Sequence, residues 1–384
     1  MKPPLPNTNT DHLQSNRPWP VNPIYASGLS RSCEFFDELG HYAGMPFHAF
    51  QFDGAIVPMF HDGPIWNSPV ELLLASSNFF VAVNEVPFNV RNFCLSIHEQ
   101  TGEAVCVSDI GSDFHEGHGL SEEDCFVLEA PHFWLPQTHE AYMDSLDHDD
   151  RKTIRRLHAR NAHLEIVYDG DVHDLWMPMR SFYRDRMVKH FGYSVAMAER
   201  ITGTVDISLR HMAKLGTALV LGVFSGSRQV AVSIFERSRG CVFHYTDVTD
   251  PSYESNLCRF AIAKGVEYAI QQGDVFFDIG HLWEDDGMGC DFSFKRCHVP
   301  KCEKRKNRLL CFTLMTHEGR SHFFAKNPHD KLFAPFYLDG KLILDHHTVS
   351  MASEAQMVEH RTFNAEVVRS TRTRGTILNI SKVE

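Results

Sequence analysis

The sequence has no run of eighteen apolar residues, so no segment is expected to cross a bilayer as a helix. Its opening stretch, MKPPLPNTNTDHLQ, lacks an apolar core, and no secretory signal is expected there. Ten cysteines are scattered along the chain, too sparse for a small disulfide-stapled scaffold. Without an export signal they are expected to be reduced thiols in a cytoplasmic protein. Positive charge is in deficit: 37 Lys and Arg face 49 Asp and Glu, a formal net charge of −12. That balance disfavours non-specific binding along a nucleic-acid backbone, although local basic patches exist. No membrane partner is expected.

What is present is ordinary globular composition, 43% hydrophobic and 22% charged, which excludes a disordered chain or a coiled coil. At 384 residues the chain has room for two domains or one enlarged one. Histidine is abundant, at 24 residues, so metal binding has to be weighed.

Residues 1–24 are Pro-rich and read as an extended arm. Between about 30 and 135, the short apolar runs FFVAVNEV (79–86) and FCLSIHE (93–99) look like strands among turn signals. VELLLASS (70–77) suits a helix, and the acidic, Gly-rich stretch from Asp109 to Asp124 suits a loop. Asp147 or Asp149 can cap a strongly basic helix, which leads into the strand HLEIVYD. The spacing of Leu175, Met179, Phe182 and Tyr183 predicts a helix over 172–191. Residues 218–248 read as an antiparallel meander: ALVLGVF, the turn SGSR, QVAVSIFE, and CVFHYTDV after Arg239-Gly240. A helix is expected from Asn256 to Gln272, stopped by Gly273, then a buried strand in DVFFDIG (274–280). A further strand is expected at about 309–315, and short strand-like pieces (LFAPFYLDG, KLILDHH) in 316–384. No solenoid-type repeat of 20 to 50 residues stands out.

Two segments carry a resemblance. YESNLCRFAIAKGVEYAIQQGDVFFDIG, followed by FSFKRCH, resembles the FemAB-like branch of the GNAT acyltransferase superfamily: a helix, a strand ending in F-D-I-G, a loop and F-K-R. YMDSLDHDDRKTIRRLHARNAHLEI is similar to the basic helix that precedes the C-terminal lobe in that branch. The match covers roughly 140–312. It implies a mixed-sheet α/β, GNAT-like fold with two pseudo-symmetric lobes, an N-terminal lobe at 25–139 and a C-terminal lobe at 140–315; residues 316–384 fall outside the resemblance and read as a C-terminal extension. One feature departs from classical GNAT enzymes. Where they carry a Gly-rich pyrophosphate turn, this chain reads Asp250-Pro251-Ser252-Tyr253-Glu254-Ser255-Asn256-Leu257, with no glycine.

The candidate site is read from these segments. A helix N-terminus offers unpaired N–H groups and partial positive charge, which suits a pyrophosphate; an ordinary helix capped by Ser252 or Ser255 is the plainer alternative. Ser252, Tyr253, Ser255 and Asn256 are therefore the candidate donor-binding residues, with Arg296. The resemblance implies that Lys295, in FSFKR, lies near the acyl-transfer centre. An amine acceptor needs a proton acceptor, for which Asp247 and His281 are candidates; Tyr245 or Tyr253 would protonate the leaving thiolate. Strand alternation puts Tyr245 and Asp247 on one face and His244 on the other. Asp278 lies in an apolar run, where a carboxylate needs a partner; an arginine ion pair is its plainer reading.

Cys290, Cys297, His298 and Cys302 lie close together, but their C-x6-C-H-x3-C spacing is not that of a zinc knuckle, and no metal is expected. Looser groups are His115 with His118, and His346 with His347. Two basic runs, Arg151, Lys152, Arg155, Arg156 and Arg160, then Lys301, Lys304, Arg305, Lys306 and Arg308, read either as solvated faces or as a phosphate-contacting rim. Three functions follow as expectations. The first is an N-acyltransferase using acyl-CoA and a small-molecule or peptide amine. The second keeps the fold and uses aminoacyl-tRNA as donor. The third is a non-catalytic GNAT-like binding protein.

Overall fold

A computed structural model describes residues 22–69, 79–111, 117–121, 124–189, 192–253, 256–280, 293–303 and 308–326. In the first half α1 (Cys33–Ala43) precedes β1 (Phe47–Phe52), β2 (Ala55–Asp62) and β3 (Ile65–Asn67). Then α2 (Val90–Thr101) leads into β4 (Ala104–Gly111), β5 (Phe126–Glu129) and β6 (His132–Trp134). The second half continues with α3 (His139–Ser145), α4 (His148–Arg160), β7 (Glu165–Tyr168), α5 (Val172–Lys189) and α6 (Val195–Leu215). It closes with β8 (Ala218–Ser225), β9 (Arg228–Ser238), β10 (Cys241–Thr249), α7 (Leu257–Gln271), β11 (Phe276–Asp278), a 3-10 turn at Ser293–His298, β12 (Arg308–Leu314) and α8 (His317–Lys326).

The strands form two six-stranded mixed sheets, β1-β2-β3-β4-β12-β5 and β6-β11-β10-β9-β8-β7. Each has a single parallel pair, β3 with β4 and β10 with β11, while its other pairs are antiparallel. Parallel neighbours need a crossover, and α2 and α7 lie on the two crossovers. The likeness extends to residues. Gln100-Thr101-Gly102 ends α2, and β4 closes on Asp109-Ile110-Gly111; Gln271-Gln272-Gly273 ends α7, and β11 runs into Asp278-Ile279-Gly280. Gly102 and Gly273 both sit at positive φ, 72° and 76°, the conformation that terminates a helix at little cost.

The two halves exchange a strand. β6, from the first half, pairs with β11 and completes the second sheet. β12, made after the second half, inserts between β4 and β5 in the first. A buried layer between the sheets joins Cys241, Phe243 and Phe276 to Ala104, Cys106, Leu309 and Cys311. On its other sides the second sheet packs α7, with Phe260, Ile262 and Val266, against Phe235 and Phe277, and packs α5 and α6 against Val220, Val232 and Ile234.

The meander, α7, β11 and β12 form as the periodicity predicts. Three expectations in the first half are corrected. FCLSIHE is helical, because Asn89 caps α2 through its side chain and Val90, Phe93, Cys94 and Ile97 make a helical stripe. FFVAVNEV is not a strand, although Phe79–Ala82 are buried; its bonds to neighbouring strands are single ones, Phe80 N to Asp109 O and Val83 N to Ile56 O. Asp109–Gly111 belong to β4 rather than to a loop. The N-terminal arm through residue 21, VELLLASS from residue 70, and the strand-like pieces beyond 326 lie outside the described residues.

Candidate functional site

In open α/β sheets ligands favour the carboxyl ends of parallel strands, where the chain splays apart. Such an edge exists where β10 and β11 run parallel, and buried polar side chains gather at it. A β-bulge sets their arrangement. His244 pairs with Phe235 and Thr246 with Ile234, so Tyr245 is an extra residue with no opposite number. Simple alternation is thereby broken, and Tyr245 and Asp247 do not share a cleft. Tyr245 points to the opposite face, where its hydroxyl donates to Ser208 Oγ at 2.7 Å. Asp247 comes round beside His244 instead, Oδ1 to Nε2 3.3 Å.

Lys295 joins them from the 3-10 turn. Its Nζ lies 3.4 Å from His244 Nδ1 and donates to the carbonyl of Ile279 at 3.0 Å. Arg186 of α5 reaches Asp247 Oδ2 at 3.5 Å. Asp278 is fully buried; its Oδ1 accepts from Gly280 N at 2.8 Å, and its charge acts on Lys295. His244 and Lys295 are 2% and 6% exposed, and Asp247 is 5% exposed.

Burial would raise the Asp247 pKa, but the adjacent His244 ring and the charges of Arg186 and Lys295 outweigh it and hold the carboxyl well below the usual range. Burial lowers Lys295, opposed by Asp247, Asp278 and Cys258. Burial and Lys295 lower His244, opposed by Asp247. His298 is fully buried and pushed down to about 3, first by burial and then by Arg259 and its neighbouring histidines and lysine. Neither of its ring nitrogens has a hydrogen-bond partner among the described residues.

The turn before α7 is held from the side. Asp250 Oδ1 accepts from both Ser252 N and Ser252 Oγ at 2.8 Å, while Arg228 pairs with Asp250 and donates to Ser252 Oγ at 2.7 Å. Tyr253 Oη meets His163 Nε2 at 3.1 Å. Ser252 is therefore not the helix cap. The cap residue is Asn256, at φ 85°, and its side chain makes no capping bond. Cys258, in the first turn of α7, is near enough for the Asp247 charge to act on its thiol, so this helix start adjoins the buried cluster. Arg296 is half-buried on the same turn as Lys295. His281 and Ser255 lie outside the described residues.

The structure thus brings together Lys295, Asp247 and Asp278, and sets Tyr245 apart. It adds Arg186, which helical spacing alone does not single out, and His244, which moves from the far face to the centre. Among the described residues no group of three or more His, Cys, Asp or Glu could hold a metal ion; Cys290, His115, His346 and His347 lie outside them. No helix among them is long and apolar enough to cross a membrane. On α4, Arg151 is held by Asp144 and the Leu146 carbonyl, while Lys152, Arg155 and Arg156 are exposed.

No protein-family model matches the sequence, and no curated protein matches it. Solved structures of similar shape include FemX (TM-score 0.46, 10% identity, 79% of this chain and 96% of that one). L-PGS from Bacillus licheniformis gives a TM-score of 0.44 at 10% identity, over 78% of this chain and 97% of that one. A tandem GNAT protein from the clavulanic acid biosynthesis pathway gives 0.39 at 10% identity, over 75% and 90%. At such scores the chain's own topology and buried cluster are the basis for any functional reading.

Proposed function

We propose that this protein is an N-acyltransferase, moving an acyl group from a thioester donor of the acyl-CoA type to an amine. One observation carries the reading: Lys295, His244 and Asp247 converge at the carboxyl edge of the β10/β11 parallel pair, beside the start of α7. A helix start of this kind suits the donor's phosphates. The bulge takes Tyr245 out of the ladder, which suits a backbone N–H directed at the thioester carbonyl. The amine nitrogen attacks that carbonyl, the C–S bond breaks, and the thiolate leaves with a proton.

Lys295 acts at the reacting centre in this reading. Asp247, held ionised by His244, Arg186 and Lys295, balances charge there and is a weak proton acceptor. Native mass spectrometry of the purified protein, then assay with a panel of acyl-CoA donors and amines, tests the proposal. Bound coenzyme A, or transfer that disappears in Lys295→Ala, supports it; neither outcome under any donor defeats it and favours a non-catalytic binding role.

The exposed Lys152, Arg155 and Arg156 on α4 favour a second reading, in which aminoacyl-tRNA is the donor. Its mark is a steep loss of activity with salt and with charge removal on α4.

A further inference from the structure

Three buried groups follow one another: Asp247 Oδ1 lies 3.3 Å from His244 Nε2, a charge contact without a formed hydrogen bond, and Lys295 Nζ lies 3.4 Å from the other ring nitrogen. An imidazole so placed has one nitrogen turned to a carboxylate and the other to an amine. The carboxylate selects the tautomer with hydrogen on Nε2 and leaves Nδ1 to accept from the lysine. The bulge at Tyr245 is what produces the line, since regular alternation would put His244 and Asp247 on opposite faces. We propose that Asp247, His244 and Lys295 form a proton relay, in which His244 receives a proton passed on by Lys295 and Asp247 holds the imidazolium that results. The inference rests on the acyl-transfer reading above and adds His244 to it as a positioning residue.

The step balances. As the acceptor nitrogen bonds to the carbonyl carbon, Nζ of Lys295 gives one proton to His244 Nδ1 and takes the surplus proton of that nitrogen in its place. The C–S bond then breaks, and the proton returns along the same path to the thiolate. The surroundings suit this traffic. Besides Asp247 on β10, His244 faces Lys295 and His298 from the 3-10 turn and Arg186 from α5; Asp278 of β11 and Cys258 of α7 act on Lys295. Burial favours the neutral forms of both His244 and Lys295, while the single fixed carboxylate beside the ring makes the imidazolium attainable.

The test has two arms. In the first, the full chain is labelled with 15N-histidine, and the His244 signals are assigned by their loss in His244→Asn. At pH 7 the ring should be neutral with hydrogen on Nε2, and Lys295→Met should shift Nδ1 far more than Nε2. Hydrogen on Nδ1, or a charged ring at pH 7, would overturn the relay whether or not any acyl transfer is found. In the second arm, His244→Asn keeps an acceptor toward Lys295 but cannot carry a proton. It should lower kcat by about a hundredfold, a usual scale for losing proton transfer, leave the donor KM unchanged, and remove the fall of kcat toward acid pH. A variant with wild-type kcat and an unaltered pH profile would also overturn it. Absence of transfer with every donor tried counts against the acyltransferase reading, and the tautomer then decides the relay by itself.

Discussion

Glu236 accepts a hydrogen bond from the backbone N–H of Gly28 at 2.6 Å, joining the C-terminal end of β9 to the chain just ahead of α1. The same carboxylate takes Ser27 Oγ at 2.6 Å and Leu29 N at 3.0 Å, and is 1% exposed. It is a clamp on the first described turns. Glu236→Ala should destabilise the protein by roughly 1–3 kcal/mol for each buried donor it leaves unsatisfied, read as a lower denaturation midpoint.

The clamp also predicts a pH dependence. Burial raises the Glu236 pKa above its usual 4.5, and the bonds from Ser27, Leu29 and Gly28 recover only part. The native state then binds this proton more tightly than the unfolded chain does. Its contribution to stability is complete below the unfolded value and declines as pH climbs through the native one. Urea titrations from pH 4 to 8 should show wild type losing stability relative to Glu236→Gln as pH rises; a constant difference would contradict this.

Tyr245 tests the bulge. Its hydroxyl is committed to Ser208 on the face away from Lys295. Tyr245→Phe should cost about 1 kcal/mol of stability, the net worth of one such bond, while turnover stays within about twofold. A hundredfold loss of turnover would return Tyr245 to the role of acid for the leaving group.

Lys295→Ala should lower turnover by roughly a hundredfold or more, the scale set by losing one stabilising group at a reacting centre. Lys295→Arg should recover only part, because a planar guanidinium does not reproduce the amine's contact with His244. Both variants also disturb the charge balance of Asp247 and Asp278, so circular dichroism must accompany the kinetics. Near-normal turnover in Lys295→Ala would remove the site.

Gly265, in α7, lies against Phe235: a Cβ there would meet the ring at 2.6 Å. Phe235 in turn touches the His244 ring edge-on, centroids 5.3 Å apart. Gly265→Ala gains about 1 kcal/mol of helix propensity, yet overpacking typically costs about 1–3 kcal/mol. The melting temperature should fall, and His244 resonances should move.

Much of the second half was legible because its signals are local. β8 to β10 alternate, α7 carries an apolar stripe, and Gly273 stops it. Lys295 was legible only through the resemblance of FSFKR. The first half misled where local signals conflict: Phe93, Cys94 and Ile97 suit a strand by composition and a helix by spacing, and the Asn89 cap decides it. The bulge was not legible, since nothing in FHYTDV marks Tyr245 as the extra residue. The two Asp-Ile-Gly runs at 109–111 and 278–280, each following a helix-ending glycine, announce the two parallel strands.

The exchanged strands make each half a hostage of the other during synthesis. The first sheet cannot close until β12 arrives, about 200 residues after β4, against which it pairs. Until then β4 waits with an unfilled edge, the kind of surface that recruits wrong partners. A gene cut between residues 139 and 140 would hand β6 to the piece that cannot use it and deny β12 to the piece that needs it. The two fragments should be insoluble alone and recover a native spectrum only when expressed together. Neither lobe is then free to be lost, duplicated or replaced without the other.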